Sequence, residues 1–157
     1  MQLERKSYSP QDTIHLAKQI GTLLQPGDVL TLDGELGAGK THFTKGIASA
    51  LGIKEMVNSP TFTIMKEYEG RLPLYHMDVY RLEEEEAEEI GLEEYLEGDG
   101  VSVIEWADKI TSLLPPEKLE ITLGRETDTT RVIQLHGVGD RFIGLLKELE
   151  KHEDVSD

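Results

Sequence analysis

Gly34-Glu35-Leu36-Gly37-Ala38-Gly39-Lys40-Thr41 satisfies G-x-x-x-x-G-K-[ST] at every fixed position. At ordinary residue frequencies a chain of this length carries that pattern by chance about once in two hundred. Its surroundings narrow the reading. Val29-Leu30-Thr31-Leu32 before it is a short, largely apolar run that reads as a strand. After it, Phe43, Ile47, Ala48 and Leu51 recur on one helical face until Gly52 stops the helix. A glycine-rich loop between a strand and a helix is the context that makes this motif a phosphate-binding P-loop. Gly34, Gly37 and Gly39 let the backbone wrap an anion with its N–H groups inward, and the helix N-terminus adds partial positive charge. The nucleotide-binding segment is therefore expected at Glu35, Leu36, Gly37, Ala38, Gly39, Lys40, Thr41 and His42. Lys40 reaches the β- and γ-phosphates, and the Thr41 hydroxyl ligates Mg²⁺.

Upstream, Ser9-Pro10-Gln11-Asp12 opens a helix, with Ser9 as N-cap, and Ile14, Ala17, Ile20, Leu23 and Leu24 mark its buried face. Downstream, Asn58-Ser59-Pro60 is a loop signal. Thr61 to Tyr68 and Leu72 to Asp78 read as a hairpin, with Pro73 placing the return strand near an edge or a bulge. Glu83 to Glu97 reads as one short acidic helix, a charge run that usually forms a solvated face. Val101 to Trp106 is a buried strand carrying a carboxylate at its end. Ile110, Leu113 and Leu114 suggest a helix stopped by Pro115-Pro116. Leu119 to Leu123 and Arg131 to Leu135 form a second hairpin, and Asp140 to Glu150 a last amphipathic helix. The fold class is α/β: a P-loop NTPase-like three-layer fold, with a mostly parallel central sheet and an antiparallel hairpin extension. Residues 1–150 form a single domain and residues 151–157 a polar tail.

A P-loop that holds Mg²⁺ needs an acidic residue at the end of a neighbouring strand. Two positions qualify, Asp78 and Glu105, and Glu105 has the better context because it ends the most apolar strand. Thr61, in a loop that leads into a strand, is placed like a switch residue that senses the γ-phosphate. The N-K-x-D segment common in guanine-specific switch proteins does not occur, so the nucleotide expected is ATP.

Composition bounds the rest. A length of 157 residues suits one domain, and with no cysteine there is neither a disulfide framework nor a thiolate metal site. Sixteen Lys and Arg against 31 Asp and Glu give a net charge of −15. That balance argues against direct nucleic-acid binding and suits a basic partner or solubility. No apolar run is long enough to span a membrane and the first ten residues are too polar for a signal peptide, so the expected address is the cytoplasm.

Four segments together resemble one family: Gly34 to Thr41, Ser59-Pro60-Thr61-Phe62, His76-Met77-Asp78-Val79-Tyr80-Arg81 and Ile104-Glu105-Trp106. Their order and the chain length are similar to the bacterial TsaE (YjeE) family of small P-loop ATPases, over roughly Ser9 to Leu145. The resemblance implies a role in the threonylcarbamoyladenosine modification of tRNAs that read codons beginning with A. It also implies association with a TsaD–TsaB complex whose repeated turnover the nucleotide cycle supports. By position it makes Lys40 a phosphate ligand, and Thr41 and Glu105 the Mg²⁺ ligands. Asp78 becomes an aid to metal or water positioning, Thr61 a switch residue and Trp106 a neighbour of the site. His76, Tyr80 and Arg81 match the family motif without a derivable role.

Two other functions fit the same scaffold. A small-molecule kinase would need a substrate base and several arginines around the transferred group, whereas of the arginines here only Arg81 sits in a motif. A nucleotide-gated binding module would act through its bound-state shape, with hydrolysis incidental.

Overall fold

The apolar run Val29 to Leu32 is wholly buried because it becomes the middle strand of a seven-stranded sheet. The computed structural model describes residues 1–35, 37–58, 60 and 64–155, with side chains through Lys151. In chain order the elements are β1 (Gln2–Ser7), α1 (Pro10–Gly21), β2 (Val29–Gly34), α2 (Lys40–Ala50), β3 (Met65–Tyr68) and β4 (Leu74–Asp78). They continue with α3 (Glu84–Glu89), α4 (Leu92–Leu96), β5 (Val101–Glu105), a 3₁₀ helix (Ala107–Leu113), β6 (Lys118–Arg125), β7 (Arg131–Val138) and α5 (Asp140–Val155). The sheet order is β1-β7-β6-β2-β5-β4-β3. The four inner strands β6, β2, β5 and β4 run parallel. The margins are antiparallel on both sides: β3 closes a hairpin on β4, while β7 and then β1 extend the sheet beyond β6.

Alternation along the strands divides the core in two. Leu30, Leu32, Val101, Val103, Leu119, Ile121 and Leu123 face the α1, α2 and α5 side, with Phe43, Ile47, Phe142 and Leu146 packed over them. Val29, Met77 and Ile104 face the other side, beneath Ala87, Leu92, Leu96 and Ile110 of the smaller helices. Each fully buried leucine or isoleucine removed from water contributes about 2 kcal/mol, so both layers are held chiefly by these strands. The α1 start follows the sequence reading: the Asp12 amide donates to Ser9 Oγ at 3.2 Å with Pro10 at the first turn.

Some elements differ from their expected form. The acidic stretch is two short helices, not one, because Gly91 adopts φ 76° between α3 and α4. The last helix continues through Val155. The return strand β4 lies one strand in from the edge, and Pro73 sits just before it, where its carbonyl accepts from the Val101 amide. The polar first residues, which carry no strong strand signal, form β1 by pairing with β7. Among the described residues no helix is long and apolar enough to cross a membrane.

Candidate nucleotide site

The loop from β2 into α2 reverses over a few residues because Gly37 and Gly39 take φ 81° and 105°, left-handed values that cost other residues about 1 kcal/mol or more. Gly39 is the N-cap of α2 and supplies no side-chain acceptor, so the first amides of the helix are left for an anion. A cavity of about 800 Å³ opens over this loop. Gly37, Ala38, Gly39, Lys40, Thr41 and His42 line it. Of the remaining expected segment, Glu35 is exposed outside that lining, and Leu36 lies outside the described residues, as does Thr61.

Asp78 and Glu105 reach the same cavity from one flank. They are register partners at the ends of β4 and β5, and the Val79 amide donates to the Glu105 carbonyl at 3.2 Å. The Glu105 side chain is nearly buried, with Oε1 3.5 Å from Lys40 Nζ and Oε2 2.8 Å from His76 Nε2. Burial alone would raise this carboxyl, but the His76 hydrogen bond and charge, with Lys40 alongside, hold it below its ordinary value. At neutral pH it is thus an anion that only accepts, so the proton shared with the imidazole belongs to His76 Nε2.

This gives His76 the role that its motif left open. It is fully buried on β4, and it donates to the carboxylate one strand away. Replacing it with leucine removes that donor and leaves Glu105 Oε2 short of a partner in a nearly dry position, which costs about 2 kcal/mol. His76→Leu is therefore expected to unfold at lower urea by that amount, with unchanged urea dependence; an unaltered midpoint would contradict the positioning role.

Asp78 Oδ1 accepts from the Tyr80 amide at 3.0 Å, which fixes the carboxylate at the cavity edge. The strand ends at Glu105, one residue earlier than read, and Trp106 turns out of the sheet with φ 64°, the only non-glycine positive φ among the described residues. A buried strand running through Trp106 would enclose this residue; it is instead 39% exposed. The turn lays it against Tyr80, with ring centroids 4.7 Å apart, and places Lys40 Nζ 5.3 Å from its ring centre. Arg81 is exposed.

Mg²⁺ prefers oxygen donors and is commonly held by one or two carboxylates together with substrate phosphates. The Thr41 hydroxyl and the Glu105 carboxylate, with Asp78 beside it, fit that pattern in one cavity. No group of three or more His, Cys, Asp or Glu residues suited to a metal occurs among the described residues, so phosphate oxygens would have to complete the shell.

The opposite flank escaped the sequence reading. Tyr8 and Thr13, near the start of α1, and Asp128 and Arg131, at the β6–β7 turn, line the cavity there. Nothing in their local sequence flags them, because β1, β7 and the turn meet the P-loop only through sheet pairing. Arg131 Nη2 donates to the Gly37 carbonyl at 3.1 Å, tying that turn to the loop.

The family model for "Threonylcarbamoyl adenosine biosynthesis protein TsaE" matches residues 7–133. A tRNA threonylcarbamoyladenosine biosynthesis protein TsaE of Bacillus subtilis (strain 168) is 52% identical over 156 residues, covering 99% of this chain and 98% of that one. The TsaE protein of Treponema pallidum (strain Nichols) is 48% identical over 128 residues, covering 81% and 95%. Among solved structures, the crystal structure of Bacillus subtilis YdiB superposes with a TM-score of 0.87 at 47% identity, over 98% of this chain and 97% of that chain. The P-loop, the carboxylate pair and the matches along nearly the whole chain lead to one assignment: this protein belongs to the TsaE family of threonylcarbamoyladenosine biosynthesis proteins.

Proposed function

We propose that the protein is a Mg²⁺-dependent ATPase that supports threonylcarbamoyladenosine modification of tRNA by associating with a TsaD–TsaB complex. The observation that carries this reading is the meeting of Lys40, Thr41 and Glu105 in one cavity above the P-loop, with Lys40 and Glu105 3.5 Å apart. Bound Mg²⁺ would supply charge neutralisation across the β- and γ-phosphate oxygens. The protein's own residues do the positioning. The loop amides and Lys40 hold the phosphates, Thr41 and Glu105 offer oxygen ligands, His76 keeps the Glu105 carboxylate ionised and oriented, and Asp78 stands where it can orient a water.

The arrangement supports slow hydrolysis by the isolated chain. Among the described residues the arginine lining the cavity is Arg131, whose guanidinium is engaged with backbone carbonyls on the flank away from Glu105. A charge supplied in trans to the transferring phosphoryl can be worth about 10³-fold or more. The net charge of −15 opposes direct contact with tRNA, so the link to nucleic acid runs through the partner complex.

Phosphate release should be measured with Mg²⁺–ATP and Mg²⁺–GTP, alone and with TsaD–TsaB, alongside filter binding of tRNA to the purified chain. The expected result is a preference for ATP, stimulation by the complex of about tenfold or more, and no retention of tRNA at physiological salt. Equal use of GTP, or indifference to the complex, would sink the reading.

A further inference from the structure

We propose that the Tyr8 ring is the platform on which the adenine base of the nucleotide stacks, resting on the nucleotide-site reading given above. The argument begins with the order of the inner strands. β2, which leads into the P-loop, lies between β5 on one side and β6 on the other. Glu105 and Asp78 stand at the ends of β5 and β4, so both carboxylates offered to the metal are on one flank of the loop, with the Thr41 hydroxyl at the start of α2 between the flanks. A nucleoside triphosphate is a linear chain, and it is its β- and γ-phosphate oxygens that share the metal. With that end directed to Glu105, the α-phosphate, ribose and base must leave the loop on the β6 side.

On that side the cavity is walled by the start of α1 and by the β6–β7 turn. The two are joined through the sheet, because Ser7 at the end of β1 is the register partner of Arg131 at the start of β7. Both are held firmly. The Ser7 hydroxyl donates to the Ser9 carbonyl at 2.8 Å and lies 2.7 Å from the Thr13 hydroxyl, in a buried contact. The Tyr8 amide donates to Asp12 Oδ2 at 2.9 Å. Opposite, Arg131 Nη1 donates to the carbonyls of Thr127 and Thr130 at 3.0 Å, while Nη2 donates to Gly37. Arg131 is thus a positioning residue, bracing the turn on the phosphate loop.

Within this frame Tyr8 is the one aromatic residue lining the β6-side flank, and the residue is 62% exposed with no ring contact among the described residues. Its backbone is fixed and a face of the ring is available, which is what a stacking surface needs. A flat heteroaromatic base covers that face and removes both surfaces from water. The ligand class is a purine nucleotide, recognised at its phosphates by the loop and at its base by Tyr8.

Calorimetry with Mg²⁺–ATP and with Mg²⁺–tripolyphosphate separates the two ends of the site. Tyr8→Ala should weaken ATP about tenfold or more and leave tripolyphosphate within about twofold, while Tyr8→Phe keeps wild-type affinity for both. Because Tyr8 is exposed, neither substitution threatens the fold. Unchanged ATP affinity in Tyr8→Ala, or equal losses for ATP and tripolyphosphate, would overturn the base platform and leave the phosphate site standing. Failure of the wild type to bind either compound would instead overturn the nucleotide-site reading, and the platform with it.

Discussion

Glu105→Gln is expected to retain ATP but to release phosphate about 10²- to 10³-fold more slowly than the wild type, a loss that corresponds to several kcal/mol of transition-state stabilisation by a metal-linked charge. Glutamine keeps the size of the side chain and an oxygen that can accept from His76 Nε2, so the sheet and the loop need not move. What it lacks is the negative charge. Single-turnover phosphate release with saturating ATP isolates this effect from binding. Normal hydrolysis by Glu105→Gln together with loss in Asp78→Asn would reverse the roles of the two carboxylates. The same variant has a signature in acid. Burial works against the Glu105 anion, but His76 and Lys40 outweigh it and hold the carboxyl below its ordinary 4.5. A carboxylate whose folded value is depressed stabilises the protein above its unfolded value and loses that contribution as pH falls through the folded one. The wild type should therefore lose stability below about pH 4.5 in a component that Glu105→Gln lacks. Thermal melts from pH 3 to pH 7 check this, and parallel curves for the two proteins would count against it.

Lys40→Ala is expected to weaken ATP about a hundredfold, the scale of losing charge-assisted hydrogen bonds to phosphate in a partly enclosed site. The structure also supplies a readout. Lys40 Nζ lies 5.3 Å from the Trp106 ring centre, and Trp106 is the protein's single tryptophan. When the ammonium moves to phosphate, the field at the indole and its hydration both change. Titrating wild type with Mg²⁺–ATP should give a saturable change in Trp106 emission under red-edge excitation, and Lys40→Ala should give none over the same range. Binding seen by calorimetry with flat emission in the wild type would separate Trp106 from the site. Tight binding by Lys40→Ala would remove the lysine from phosphate recognition.

What could be read in advance follows the range of the interactions. The P-loop is local: strand, glycines, lysine and helix are contiguous, and their spacing encodes the geometry. The placement of Glu105 was legible for a related reason, since a carboxylate ending the most apolar strand has few places to point except the end of the sheet. The β6–β7 hairpin follows from alternation around a short turn, and the β3–β4 hairpin from two strand-like runs around Glu69-Gly70. By contrast β1 reads as polar, because only one face of an edge strand is covered and its partner β7 is nearly the whole chain away. His76 was visible as part of a motif, but its role depends on a register across two strands that spacing does not supply. Trp106 was placed beside the site yet expected to be buried; its left-handed φ swings the ring outward, and nothing in Ile104-Glu105-Trp106 marks that turn. Tyr8 and Arg131 carry no motif at all.

On the proposed function, the brace from Arg131 to Gly37 bears on when, during synthesis, the phosphate loop is first framed for a nucleotide. α1, β2, the P-loop and α2 leave the ribosome early and contain the motif residues proposed to hold phosphate. Yet β1 has no partner until β7 emerges, and the turn before β7 carries the wall on which the loop leans. Closing so distant a pair is the slow, entropically expensive part of folding such a topology. A nascent chain halted before Arg131 therefore displays the phosphate loop without its frame. On the proposed function, full affinity is expected only when the first strand has found the last, and ATP, by binding only the finished fold, is then expected to stabilise it against reopening by mass action.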